Sequence, residues 1–119
     1  PESDVEPLVR GKLLQATSHD TVRTRMLSGK PARMLRSKWT DAWESPECPG
    51  FLPMPLQGML VMDANQRIGR SHNEELAFYP TGQAVGMIND QRDCKTIVYD
   101  MINEYIEAVE RLNRTLGNG

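Results

Sequence analysis

Between Ser45 and Pro55 the chain places Pro46, Pro49, Pro53 and Pro55 in one short stretch, with Gly50 among them. Each proline fixes φ near −65°, lacks an N–H and pushes the preceding residue toward extended backbone. Neither a helix nor a sheet ladder can run through such a segment. Residues 45–55 are therefore an extended, turning loop, and the regular elements must lie on either side of it. Pro55 suits the first turn of a following helix, where its missing donor costs nothing.

Before the loop, Ser3-Asp4-Val5-Glu6 has the spacing of a capping box. Val5, Leu8, Val9, Leu13 and Ala16 then recur at three- and four-residue steps, which predicts a helix from Asp4 to Gln15. Pro7 is early enough to be tolerated. Thr17 to Asp20 is polar and turn-like. From Thr21 to Leu27 the residues alternate, Thr21, Arg23 and Arg25 against Val22, Thr24 and Met26, as in a strand. Ser28-Gly29-Lys30-Pro31 is a turn, and Ala32 to Arg36 alternates again as an antiparallel return. Ser37 caps a short helix ending near Glu44, with Trp39 and Trp43 on one face.

After the loop, Leu56, Met59, Leu60 and Ala64 predict a helix to Ile68, broken over Gly69–Asn73. Pro80-Thr81-Gly82 follows a short connector, with Thr81 as N-cap of a small-residue helix from Gln83 to Ile88. Asp93 caps the last helix, which ends near Leu116. Its apolar residues Ile97, Val98, Met101, Ile102, Tyr105, Val109 and Leu112 form the cleanest amphipathic stripe in the chain.

At 119 residues the chain suits one compact domain, not two, with a modest core. The net charge of −2 argues against nucleic acid, and no apolar run nears the roughly 20 residues of a membrane helix. Cys48 and Cys94 lack metal-ligand spacing, which fits two free thiols in a reducing cytoplasm. The chain opens at Pro1 without a methionine, as expected of a processed product or a piece of something longer.

Individual candidates for chemistry are weak. His19 and His72 sit in polar contexts typical of exposed loop histidines. Cys94 opens the last helix, where the dipole favours a thiolate, but a surface or packing cysteine is the commoner case. Arg23, Arg25, Arg33 and Arg36 could grip a phosphate, yet a solvated or salt-bridged sheet face is the ordinary reading. Trp39 and Trp43 more often anchor a helix than stack on a ligand. Met54, Met59 and Met62 read as core filler. The segment Tyr79 to Ile88 is the most informative. Gly82, Ala84 and Gly86 strip it of bulk, so its N–H groups can approach a ligand, or its backbone another helix.

Three segments in order resemble the C-terminal third of the nitronate monooxygenase family. Thr21 to Arg36, TVRTRMLSGKPARMLR, is similar to the family's T-x-x-T-x-x-x-x-G-[RK]-P-A-R stretch. Ala77 to Ile88, AFYPTGQAVGMI, resembles its GQ-x-x-G-x-I stretch. Leu52 to Asp63, with PLQGM, is similar to a subgroup with an extended middle loop. The resemblance covers nearly all of the chain.

The resemblance implies a (β/α)₈ barrel carrying FMN, with a mostly helical domain over its mouth. Such a barrel needs about 250 residues, so the FMN-binding barrel is absent from 1–119. The family's phosphate-binding glycines and catalytic histidine lie upstream of the matched region, so no catalytic residue is carried over. Gly82 and Gln83 match the stretch that lies near the cofactor. The expected fold is α+β and mainly helical, with four or five helices and one short β-hairpin, equivalent to the cap and C-terminal part of a TIM-barrel flavoenzyme. The expected function is the substrate-capping portion of an FMN-dependent oxidoreductase that oxidises alkyl nitronates with O₂, inactive or incomplete alone. The alternatives are a stand-alone helical self-association module and part of a related NAD(P)H-dependent reductase of enoyl thioesters or quinones. Exposed apolar helix faces predict a homo-oligomer.

Overall fold

A computed structural model describes residues 2–117. It divides into two compact units, one of residues 5–89 and one of residues 2–4 with 90–117. Among the described residues the architecture is α+β and mainly helical. It has four α-helices, one two-stranded antiparallel sheet and two short 3₁₀ turns.

The larger unit begins with α1, Pro7–Gln15. The helix starts at the proline rather than at Asp4, and Glu6 (φ −56°, ψ 138°), not Ser3, is its N-cap. The reason is local: the residue before a proline avoids helical backbone, and proline itself fits the first helical position. The first 3₁₀ turn, Ser18–Asp20, carries a capping box between Thr17 and Asp20.

Strands β1, Thr21–Thr24, and β2, Ala32–Leu35, pair with Thr21 opposite Leu35 and Thr24 opposite Ala32. β1 stops three residues short of the expected Leu27. The Thr24 hydroxyl accepts the Met26 N–H at 3.1 Å, which diverts the backbone into a turn. The alternation also differs from expectation, since Thr21 and Thr24 are both buried and Arg23 is exposed. Helix α2, Lys38–Glu44, has the predicted Ser37 cap. The Ser37 hydroxyl accepts from Thr40 N–H, and the Thr40 hydroxyl accepts from Ser37 N–H at 2.9 Å.

The proline loop folds back onto the hairpin turn. Gly29 has φ +88°, and a Cβ there would lie 2.5 Å from the Leu52 carbonyl oxygen and 2.8 Å from the Met54 nitrogen. Only glycine meets both demands. Helix α3, Leu56–Ser71, starts directly after Pro55 as predicted but runs through Gly69. One glycine costs a helix about 1 kcal/mol and need not end it. His72, in left-handed conformation at φ 50°, does.

The face α3 turns inward is not the predicted one. Leu56, Met59 and Leu60 are exposed, while Gln57 and Val61 are buried. The Gln57 amide is hydrogen-bonded at both its nitrogen and its oxygen, to Met26 O and from Leu52 N, which makes its burial tolerable. Met54, Met59 and Met62 are likewise exposed, so the reading of these methionines as core filler is overturned. The core proper gathers Ala16, Leu35 and Val85, with Leu13 packed on them.

The smaller unit is dominated by α4, Cys94–Gly117. Asp93 caps it as expected, its carboxylate accepting from Thr96 N–H at 2.7 Å. Glu2 adds a second cap, accepting from Cys94 N–H at 3.3 Å. Its own backbone N–H first, and then that of Cys94, hold the Glu2 carboxyl below the usual carboxylate range, and Thr96 N–H does the same for Asp93. No residue of α4 is buried. Among the described residues no helix is long and apolar enough to cross a membrane.

Candidate functional site

The segment carrying Gly82 and Gln83 is held at the free edge of β2. Leu35 N–H donates to the Tyr79 carbonyl at 2.9 Å, and Thr81 N–H donates to the Arg33 carbonyl at 3.1 Å. Met34 and Pro80 thereby form an antiparallel bridge, a single extra rung beside the hairpin. The chain then enters the second 3₁₀ turn, Gln83–Met87, with Gly82 as its N-cap instead of the predicted Thr81. The expected small-residue α-helix is only this five-residue turn, too short for peptide dipoles to accumulate.

Val85 anchors the turn in the core against Ala16 and Leu35. Gly86 explains itself by packing. A Cβ there would stand 2.9 Å from the Ser18 nitrogen, so the two 3₁₀ turns touch backbone to backbone. Gly82 is different. It is exposed, its φ of −88° is open to any residue, and an added Cβ would meet nothing nearer than the Ala84 nitrogen at 4.0 Å. Neither conformation nor packing within this unit requires glycine there. Gln83 is exposed beside it, and no hydrogen bond to its side chain occurs among the described residues. Together they form a low, open ledge on a firmly anchored turn.

The support beneath is electrostatic as well as apolar. The Asp20 carboxylate accepts from Thr17 N–H and Thr17 O–H, each at 2.8 Å. These bonds hold its carboxyl below the usual range. Arg36 N–H donates to the Asp20 carbonyl at 2.8 Å, tying this turn to the end of β2.

The other predicted candidates do not converge. Arg33 donates to the Thr21 hydroxyl at 3.0 Å, Arg25 to the Gly29 carbonyl at 2.7 Å, and Arg36 lies 3.6 Å from Asp41. Each of these three arginines is used locally, while Arg23 is exposed and stands opposite Arg33 in the strand register. His19 is exposed, and His72 pairs at 2.8 Å with Glu6, joining the end of α3 to the start of α1. Trp39 and Trp43 meet edge to face at 5.9 Å; Trp43 stacks on Phe51, and Trp39 donates to Asn65 at 3.0 Å. They fasten α2 to α3 and the proline loop, and they floor an open groove of about 310 Å³ bordered by Cys48 and Pro49. Cys48 and Cys94 are free thiols. Among the described residues no cluster of three or more potential metal ligands occurs.

Sequence reasoning missed two residues that shape this unit. Gln57 was passed over because a buried amide looks polar in a periodicity count. Lys12 was also passed over; its ammonium donates to the Glu74 carbonyl at 2.7 Å and the Ala77 carbonyl at 3.0 Å, holding the connector that leads to the ledge.

The family model described as nitronate monooxygenase matches residues 1–104. A protein named as a monooxygenase, Rv1533 of Mycobacterium tuberculosis, is 46% identical over 117 residues, covering 93% of this chain and 31% of its own length. A protein named as a nitronate monooxygenase of Bacillus subtilis is 28% identical over 106 residues, covering 89% and 30%. FabK from Thermotoga maritima superposes with a TM-score of 0.69 at 29% identity, over 94% of this chain and 35% of that one. A methionine-to-alanine variant of FabK gives 0.65 at 27% identity. The chain spans about a third of the length of the curated relatives it matches.

Proposed function

Because the chain belongs to the nitronate monooxygenase family, we propose that it forms the substrate-capping, C-terminal portion of an FMN-dependent oxidoreductase that oxidises alkyl nitronates with O₂ and is incomplete alone. The observation that carries this reading is Gly82. It is a glycine that its own unit does not need, set beside an exposed glutamine on an anchored turn. Such a ledge suits close approach by a flat ring from outside. Gly82 would keep the surface low, and the Gln83 amide would offer a donor and an acceptor to a flavin edge or substrate. FMN, when bound, would supply the redox chemistry; this chain would cover it, exclude water and position the nitronate.

The outward apolar face of α3, with Leu56, Met59 and Leu60, supports the same reading. A surface of that kind suits a cap resting on a larger body. The fit of Gly82 and Gln83 to FMN is one of shape and hydrogen-bonding capacity. A cytoplasmic setting accords with the two free thiols. A second reading, part of an NAD(P)H-dependent flavin reductase of enoyl thioesters or quinones, stands beside it, since the chain also superposes on FabK over 94% of its length.

The test is a chimera. The remaining two thirds of the Mycobacterium tuberculosis relative would be joined to these 119 residues in place of its own segment. The chimera is expected to retain FMN and to consume O₂ with an alkyl nitronate. Retained FMN with NAD(P)H-dependent reduction of an enoyl thioester or quinone, and no nitronate oxidation, would favour the second reading. A well-folded chimera that holds no FMN would sink both.

A further inference from the structure

Two guanidinium groups meet on the hairpin without a counter-charge. Arg23 stands directly opposite Arg33 in the β1–β2 register, so the pleat sends both side chains to one face. Like charges so placed destabilise a sheet. The chain carries 16 acidic residues against 14 basic ones, and Arg36 and Arg92 each find a carboxylate. Among the described residues neither Arg23 nor Arg33 forms an ion pair. Arg33 gives one N–H to the neutral Thr21 hydroxyl, which leaves its charge uncompensated. Arg23 is exposed and borders an open hollow of about 230 Å³, on which Glu44 supplies the one carboxylate.

The place of the pair beside the ledge points to its use. Thr81 N–H donates to the Arg33 carbonyl, so Thr81 lies beside Arg33 as Arg33 lies beside Arg23. The row Arg23–Arg33–Thr81 thus crosses the hairpin and its extra rung, and the next residues of the chain are Gly82 and Gln83. All of them belong to the unit of residues 5–89. Neighbouring strands lie about 4.8 Å apart, so the row spans roughly 10 Å. That is within the reach of a ligand whose ring rests on the ledge and whose charged end extends over the sheet.

We propose that Arg23 and Arg33 form an oxyanion site, taking a phosphate group of the molecule held over the Gly82–Gln83 ledge. The inference rests on the capping reading and adds an anionic class of ligand to it. Two guanidinium forks on one face match the several oxygens of a phosphate, through charge-assisted bonds stronger than those to a neutral acceptor. The bound anion also removes the repulsion across the strands. A phosphate of the flavin and a phosphate of a second reactant present the same chemistry to the pair.

Titration of the 119-residue chain with inorganic phosphate, followed by NMR of the arginine Nε–H signals, tests the site. Saturable shifts are expected at Arg23 and Arg33 but not at Arg36, which already has Asp41. Chloride at the same ionic strength is expected to move neither, and Arg23→Gln, at an exposed position, to abolish the Arg33 response. In the chimera, Arg23→Gln is expected to weaken one phosphate-bearing ligand about tenfold. Weaker FMN with unchanged riboflavin gives the phosphate to the flavin. Unchanged FMN with a raised KM for NAD(P)H gives it to a second reactant. Equal shifts with chloride would overturn the proposal. So would an Arg23→Gln chimera unchanged toward both ligands, which would assign the pair to another part of a longer polypeptide. A chimera that holds FMN beside arginines that ignore phosphate would sink this inference and leave the capping reading standing.

Discussion

The side-chain amide of Gln57 donates to the main-chain carbonyl of Met26 at 3.0 Å, across 31 positions of sequence and fully out of water. The same amide's oxygen accepts from Leu52 N–H at 3.0 Å. One side chain thus holds the tip of the hairpin, the proline loop and the start of α3.

Gln57→Leu keeps the volume and removes both bonds. Leaving a buried carbonyl and a part-buried N–H unsatisfied costs about 1–3 kcal/mol each, so an overall loss of about 2–6 kcal/mol is expected in urea unfolding. A change below about 1 kcal/mol would show that the latch is dispensable.

Gly29 stands where left-handed backbone meets the Leu52–Met54 main chain. Gly29→Ala must bear about 1–2 kcal/mol of backbone strain and displace backbone rather than a flexible side chain. A loss above about 2 kcal/mol is expected. Thermal unfolding followed by circular dichroism would check it, an unshifted midpoint being the contrary result.

Gly82 and Gly86 should behave oppositely. Gly86→Ala forces the two 3₁₀ turns apart and is expected to cost about 1–3 kcal/mol. Gly82→Ala meets open space and should change stability by less than about 0.5 kcal/mol. In the chimera, however, a bulkier Gly82→Val is expected to lower FMN retention. If Gly82→Val retains FMN fully, the ledge is not a cofactor contact.

Asp20 sets an acid limit on the site. Its carboxyl titrates lower in the fold than its ordinary value of 3.8, because Thr17 donates to the charged form. The stabilisation is thus present above about pH 4 and is lost as pH falls through the folded value. Amide protection factors at Ser18 and Val85, relative to the intrinsic exchange rate, should fall in that acid range, and Asp20→Asn should flatten the dependence. Equal acid sensitivity in both proteins would remove Asp20 from the explanation.

Much of the fold was legible because strong local rules acted alone. Ser37 and Asp93 cap helices as their side chains dictate, and the glycine–proline turn closes the hairpin. The failures share a cause: tertiary partners outvoted periodicity. α3 buries Gln57 because Met26 and Leu52 supply its hydrogen bonds, and so shows its methionines to solvent. β1 ends early because Thr24 prefers its own neighbour. At the candidate site, family resemblance pointed to Gly82 and Gln83, but only coordinates distinguish a glycine required by packing, Gly86, from one that is not.

The rung formed by Pro80 beside Met34 also lies along the outer margin of β2. An open sheet margin invites strands from neighbouring molecules to zip on. Here the outermost residue on the β2 side is a proline, which has no hydrogen to donate. A stray strand approaching from that direction finds the ladder closed.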